Sequence, residues 1–273
     1  KKGDELMTNK IDFRNPSIEK ILKEGRIDAG IYSKSVQEFF KNIELYKHGY
    51  SDLETYGYTL KRGPNLAKRD LGRSIKTEEY RPNYSLLVYP SDISDNGYLL
   101  KSVYLGARNK VWFLENKDIL FSAEGNVGKT FVICDEKMKF TTNFHGMIIY
   151  PLKRKKTDIS KSICIGFFLN YMRANGIIDK LSVGGNGGSF AVGYWDTILI
   201  PNFPDYLVDK LSHIYNYDIE LDPFNFNLDR LNKAGIFQLN NFRILCNDFL
   251  KMIINDIKID KLKDLEYYKS KHV

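Results

Sequence analysis

Between Asp118 and Pro151 the chain places a glycine-bearing octapeptide, Ala123-Glu-Gly-Asn-Val-Gly-Lys-Thr130, directly before the β-branched and aromatic run Phe131-Val-Ile-Cys134. The octapeptide satisfies the loose form of a phosphate-binding loop, with Ala at the first glycine. Such a loop must join a strand to a helix, so that stacked N–H groups and a helix N-terminus face the phosphates. Ile119-Leu-Phe-Ser122 supplies the strand. The run after the octapeptide has strand composition and ends in the turn-like Asp135-Glu-Lys137, so a hairpin is the expectation. The glycines then form a tight turn between two strands, with Lys129 presented at its edge. A nucleotide-binding enzyme using Lys129 and Thr130 is the competing reading.

The same logic extends along the chain. Short apolar runs at 84–89, 98–105, 110–114, 118–121, 129–134 and 146–150 are separated by turn residues and read as strands. Helical spacing marks 33–46, then 160–175 with Asn175-Gly176 as its end, then 206–215. Trp195–Ile200 reads as a further strand stopped by Pro201. The expected fold is α+β: a strongly curved, mostly antiparallel or mixed sheet with flanking helices and a C-terminal helical arm. Residues 1–25 form a lead-in, 26–215 the main domain, 216–235 an acidic linker, and 236–273 the arm. In the arm, Leu239, Phe242, Cys246, Phe249 and Ile253 follow a 3-4-3-4 spacing, as in a coiled-coil seam. A helix partner or a second copy of the chain is expected along 236–257.

A net charge of +7 argues for a polyanionic partner once its distribution is considered. The stretch 61–73 carries Lys61, Arg62, Lys68, Arg69 and Arg73 against one acid, and Lys153-Arg-Lys-Lys156 adds four cations in a row. Cys134, Cys164 and Cys246 are odd in number and widely spaced, which fits buried thiols in a reducing compartment and no zinc spacing. No apolar run approaches the ~18 residues of a membrane span. A cytoplasmic location is expected.

Other chemistry is weakly signalled. Asp118 with Asp135 and Lys137 could be the carboxylates and lysine of a metal-dependent nuclease, although Asp135–Lys137 suits a hairpin turn better. Asp222-Pro-Phe-Asn225 lacks the second proline of an amino-methyltransferase signature. Gly184-Gly-Asn-Gly-Gly188 precedes no clear helix and so fails as a dinucleotide fingerprint. No catalytic constellation and no metal site is expected in this chain.

Several segments match one family in order. Arg26-Ile-Asp-Ala-Gly-Ile-Tyr32 resembles the "Arg-Leu-Asp-Ala-x-Tyr-Tyr" opening of the target recognition domains of type I restriction–modification specificity (S) subunits. Asp118–Lys129 resembles their "Gly-Asp-(Ile/Leu)-Leu … Gly-x-(Ile/Val)-Gly-(Lys/Arg)" turn. Thr142-Asn143 resembles the Thr-Asn that comes next in the family, with Phe144-His145-Gly146 where Gln-Gly is usual. The helix at 160–175, the glycine-rich segment and Ile198-Leu-Ile-Pro201 resemble the family's ending. The resemblance spans about 26–215. It implies one recognition domain, either a half-subunit or the C-terminal part of a fused restriction–methylation enzyme.

By that resemblance the function is sequence-specific binding of double-stranded DNA without chemistry of its own. It directs an adenine methyltransferase subunit or fused domain, and that partner holds S-adenosylmethionine and Mg2+ and receives the flipped base. No cofactor is expected here. Lys61, Arg62, Lys68, Arg69, Arg73, Lys153, Arg154, Lys155 and Lys156 would neutralise phosphates. Arg62, Asn65, Arg69, Asn143 and Asn186 have the forked or amide groups that read base edges. Asn126 and Lys129, on the hairpin turn, would contact the DNA backbone.

Overall fold

The computed structural model describes residues 16–109, 112–184, 188–215, 219, 221–222 and 227–270. In chain order it contains helix α1 (Ile18–Glu24), α2 (Lys34–Glu44), strand β1 (Tyr50–Ser51), β2 (Tyr58–Arg62), α3 (Lys68–Leu71), β3 (Ser74–Thr77) and β4 (Ser85–Leu87). Then come β5 (Tyr104–Ala107), β6 (Ile119–Ser122), β7 (Thr130–Val132), β8 (Phe140–Thr141), β9 (Gly146–Pro151), α4 (Ile159–Ala174) and α5 (Ile177–Leu181). The chain continues through β10 (Ile200–Pro201), α6 (Asp205–Tyr215), α7 (Leu228–Lys233), α8 (Ile236–Lys258) and α9 (Leu265–Ser270).

The fold is α+β, with mostly antiparallel pairing. One four-stranded sheet runs β2-β9-β6-β7, a second runs β3-β5-β4-β8, and β1 pairs with β10. The β4–β8 pair is parallel; the others are antiparallel. In the first sheet Leu120 lies opposite both Phe131 and Ile148, and Lys61 is opposite Ile148. Both faces of this sheet are covered, which explains why Ile119-Leu-Phe121 and Met147-Ile-Ile149 are continuously apolar instead of alternating.

One face meets α4 and the segment after the glycine-rich stretch. Phe121 packs edge-on to Trp195 at 4.9 Å and Phe190 at 5.5 Å, and the Trp195 indole N–H points at Met147 Sδ, 2.9 Å away. Tyr58 Oη bonds Ser162 Oγ of α4 at 2.9 Å. Gly166 brings α4 tight against the sheet: a Cβ there would lie 2.6 Å from Val132 Cγ2. The other face meets the second sheet and α8, through Phe131 against Phe140 and Phe237. A smaller cluster of Leu71, Leu87 and Leu105 anchors α3 onto the second sheet. Burying a side chain of this size stabilises by about 1.5–3 kcal/mol, so the first sheet and α4 form the rigid base on which the loops stand.

Helices α2, α4, α6 and α8 fall where the periodicity places them, and Asp158 caps α4 by accepting from Ser160 N–H at 2.8 Å. Other elements differ. The stretch 61–73 is not a plain loop: it begins inside β2, contains α3, and leads into β3. As the sheet's edge, β2 leaves its flank open to solvent and tolerates charge. Of the run 98–105 only Tyr104-Leu105 is strand; Leu99 makes an isolated bridge to Ile93. Leu114 likewise makes one bridge, to Phe140, while 110–111 lie outside the described residues. Val192–Thr197 is a 3-10 turn rather than a strand, which tucks Trp195 under the first sheet. Within 1–25, α1 is capped by Ser17; within 216–235, α7 is capped by Asn227.

The helical arm turns back on its own chain. Phe237 and Asn240 are buried, and Arg243 donates to the Leu99 carbonyl at 2.6 Å. Of the 3-4-3-4 positions, Phe249 is covered by Tyr268 of α9 at 5.7 Å, and Tyr268 Oη donates to Asp256 at 2.8 Å. Among the described residues no helix is long and apolar enough to cross a membrane.

Candidate nucleic-acid interface

Strand direction determines which loops meet. At one end of the first sheet the outgoing ends of β2 and β6 and the incoming ends of β7 and β9 lie together. That end carries Arg62–Asn65, the turn 123–129 and the turn Asn143–His145. Backbone bonds lock these turns to each other: Ala123 N–H donates to His145 O at 3.0 Å, and Gly63 N–H to Gly146 O at 2.9 Å. Gly63 is required there, because a Cβ would lie 2.1 Å from the Asn143 carbonyl oxygen.

The turn 123–129 is a hairpin. Gly128 N–H donates to Ser122 O and Ser122 N–H to Lys129 O, both at 2.8 Å, and Gly125 and Gly128 take positive φ. Strand β7 begins at once, so the phosphate-loop geometry around Lys129 and Thr130 does not form. Lys129 is not presented at the edge. It is buried beneath the turn with its ammonium 3.7 Å from Asp95, which Arg173 also holds at 3.1 Å. Thr130 is buried and donates to Gly128 O. Asn126, by contrast, is exposed at the tip.

Around this end the side chains form a mixed basic and aromatic surface. Lys61 lies over the rings of Trp112 and Tyr150, at 4.8 and 5.0 Å. Arg62, one residue on, points to the opposite face of the strand. Its Nη1 reaches Glu124 Oε1 at 3.3 Å and its Nη2 donates to Phe190 O at 3.4 Å. Glu124 Oε2 is 2.5 Å from His145 Nδ1, and the exposed Phe144 ring lies 3.8 Å from the His145 ring. A shallow cleft of about 470 Å³ joins Arg62, Asn65 and Arg69 to Trp112. Asn65 Oδ1 accepts from Ala67 N–H at 3.1 Å. Asn143 Oδ1 accepts from His145 N–H at 3.2 Å, which leaves its amide NH2 without a partner among the described residues. Lys68 and Arg69 on α3 and Arg73 before β3 are exposed. Asn186 lies outside the described residues; Gly188 O accepts from Gly125 N–H at 3.4 Å.

The second basic cluster is elsewhere. Lys153, Arg154, Lys155 and Lys156 come after β9 at the other end of the sheet, a strand of six residues or ~17 Å away. Lys153, Lys155 and Lys156 are exposed. Arg154 is committed internally: it pairs with Asp118 at 2.6 Å and Glu115 at 3.1 Å and donates to Asn116 O at 2.7 Å. Sequence spacing could not show this, since the cation's partners lie more than thirty residues upstream.

The nuclease alternative meets the same difficulty. Asp118 is buried with Arg154 on its carboxylate, and burial raises its pKa despite the Glu115 N–H and Arg154. Asp135 Oδ1 is occupied by the N–H groups of Lys137 and Met138 at 2.7 and 2.9 Å, a turn geometry. Among the described residues no three His, Cys, Asp or Glu side chains converge on a metal-sized space. The thiols of Cys134 and Cys164 are pushed up by burial, Cys164 to about 12, so both are protonated at neutral pH.

Sequence reasoning alone does not single out Glu124, His145, Phe144 or Trp112. Glu124 lies within the glycine-bearing octapeptide and His145 directly follows Thr142-Asn143-Phe144, and that placement in the two turn motifs is the signal that could have marked them.

No family model matches the chain, and no curated protein matches it. Among solved structures it is similar to a type IIG restriction endonuclease, BpuSI, at TM-score 0.46 and 10% identity, over 81% of this chain and 34% of that one. It is also similar to a type I restriction–modification system studied for complex assembly, at TM-score 0.43 and 12% identity, over 72% and 48%. The HsdS subunit of Thermoanaerobacter tengcongensis gives TM-score 0.40 and 12% identity, over 71% and 45%. The chain thus spans less than half the length of each of these structures, and likenesses of this size assign no role to any of its residues.

Proposed function

We propose that this chain is a sequence-specific recognition module for double-stranded DNA, with no catalysis of its own. A methyltransferase subunit or fused domain, carrying its own S-adenosylmethionine and Mg2+, would act on the adenine it selects in the cytoplasm. The observation that carries this reading is convergence: Lys61, Arg62, Asn65 and Arg69 of one segment and Asn143 of another share one end of a rigid sheet with Trp112, Phe144 and the exposed Asn126. Cations there supply affinity for phosphates, and forked and amide groups supply base discrimination. A two-stranded turn such as 123–129 is narrow enough for the ~12 Å major groove. The order of the sequence motifs supports the family reading independently of this geometry.

The test is enrichment from a randomised duplex pool at low and moderate salt. One short motif should be enriched, with affinity that falls steeply with salt and needs no divalent metal. A pool that yields no motif at either salt would sink the proposal.

A further inference from the structure

Glu124 is out of place on a surface that would bind phosphates. A carboxylate there repels the DNA backbone and lowers affinity for every sequence alike. Yet its backbone is held firmly. Ala123 before it is buried, donates to His145 O and accepts from Phe190 N–H, while Ser122 Oγ donates to the Glu124 carbonyl at 3.3 Å. Its side chain is one-third exposed, at 33%, beside the 35% exposed Arg62. One carboxylate oxygen faces Arg62 Nη1 at 3.3 Å and the other His145 Nδ1 at 2.5 Å. A carboxylate can accept about four hydrogen bonds, so two acceptor sites remain once these contacts are made. Arg62 has five N–H donors, and its contacts to Glu124 and Phe190 O, at 3.3 and 3.4 Å, are both long. The pair therefore offers an acceptor-only group and a donor-only fork side by side, near the exposed tip of the hairpin.

We propose that Glu124 reads a base directly: it accepts from the N4 amine of a cytosine in the major groove, while Arg62 donates to O6 and N7 of a guanine in the adjoining pair. His145, its ring 3.8 Å from that of Phe144 and tilted by 39°, is the positioning residue that fixes the carboxylate. This rests on the DNA-recognition reading and deepens it by naming the base chemistry. The pairing comes from complementarity, because cytosine presents only a donor in the major groove and guanine only acceptors.

The test uses the full chain, comparing wild type, E124Q, E124A and R62K in randomised-duplex enrichment. It then measures dissociation constants for the best duplex and each of its single-pair variants. Wild type should enrich a motif containing a C·G pair. In E124Q the preference at that one position should move toward adenine, because a carboxamide both accepts and donates as adenine N6 and N7 require. Discrimination for cytosine there should fall roughly 5- to 150-fold, with the other positions unchanged. R62K, keeping the charge but losing the fork, should relax the guanine position alone. The inference is overturned if E124Q and E124A keep every base preference of wild type and only bind all duplexes more tightly, or if the wild-type motif has no C·G pair. If wild type enriches no motif at all, the recognition reading itself falls, and this inference with it.

Discussion

Arg154 Nη2 lies 2.6 Å from Asp118 Oδ1, so the arginine of the Lys153–Lys156 run is an internal clamp on the carboxylate that opens β6. Asp118 is only 4% exposed at its side chain, and burial outweighs the clamp, leaving its pKa above the ordinary carboxylate value. Removing Arg154 strands a buried charge, so R154A should destabilise the fold by on the order of 3 kcal/mol at neutral pH. K155A, an exposed neighbour, should stay within about 0.5 kcal/mol of wild type. The raised folded pKa sets the sign with pH. Below it Asp118 is neutral in the folded state and needs no cation, so the R154A deficit should shrink on mild acidification. Urea midpoints at neutral and mildly acidic pH check this; a deficit that grows in acid would contradict it.

Asp158 titrates in the opposite sense. The Ser160 N–H and hydroxyl hold its carboxyl below the ordinary range as it caps α4. Its stabilisation is complete above the unfolded value of ~3.9 and is lost as pH falls through the lower folded value. D158A should cost about 1 kcal/mol at neutral pH, and the gap from wild type should close in strong acid. D158S, a cap that does not titrate, should lack that pH dependence.

The two halves of α8 should respond differently to truncation. Phe237 is buried between Phe131 and Tyr215, so F237A should cost about 3–5 kcal/mol. Leu250, 52% exposed on the same helix, should cost within about 0.5 kcal/mol when cut to Ala. Thermal or chemical unfolding of the two variants separates these outcomes. Equal costs would mean that the arm does not pack through its N-terminal half.

The two basic clusters should separate in a salt series. On the best duplex, K68A/R69A/R73A should lower the slope of log affinity against log salt by up to ~0.9 for each phosphate no longer neutralised. K153A/K155A/K156A, at the opposite end of the sheet, should leave the slope close to wild type. Equal effects from both triple variants would show the DNA running along the whole sheet.

How much of the fold and the interface is legible in the sequence depends on how local the determining forces are. The hairpin at Gly125–Gly128 and the helices α4 and α8 are written in nearest-neighbour chemistry: positive-φ glycines, a capping aspartate, helical spacing. Strand β2 is hidden because its register is set by β9, more than eighty residues later, and its basic residues resemble a loop. Trp195 reads as strand because its neighbours are β-formers, whereas its ring is claimed by Phe121 and Met147. For the interface, composition marks Arg62 and Asn143 but also Lys129 and Arg154. Ion pairing with Asp95 and Asp118 takes those two inward, and partners so remote in sequence leave no trace in spacing.

The Ser122–Gly128–Lys129 closure is made entirely by peptide groups. It is therefore indifferent to the side chains at 124 and 126, which lie outside the core. On the recognition reading proposed above, a change at 124 would alter the base preferred without refolding the scaffold beneath. New specificities would then arise by single substitutions at a tip whose shape is already paid for.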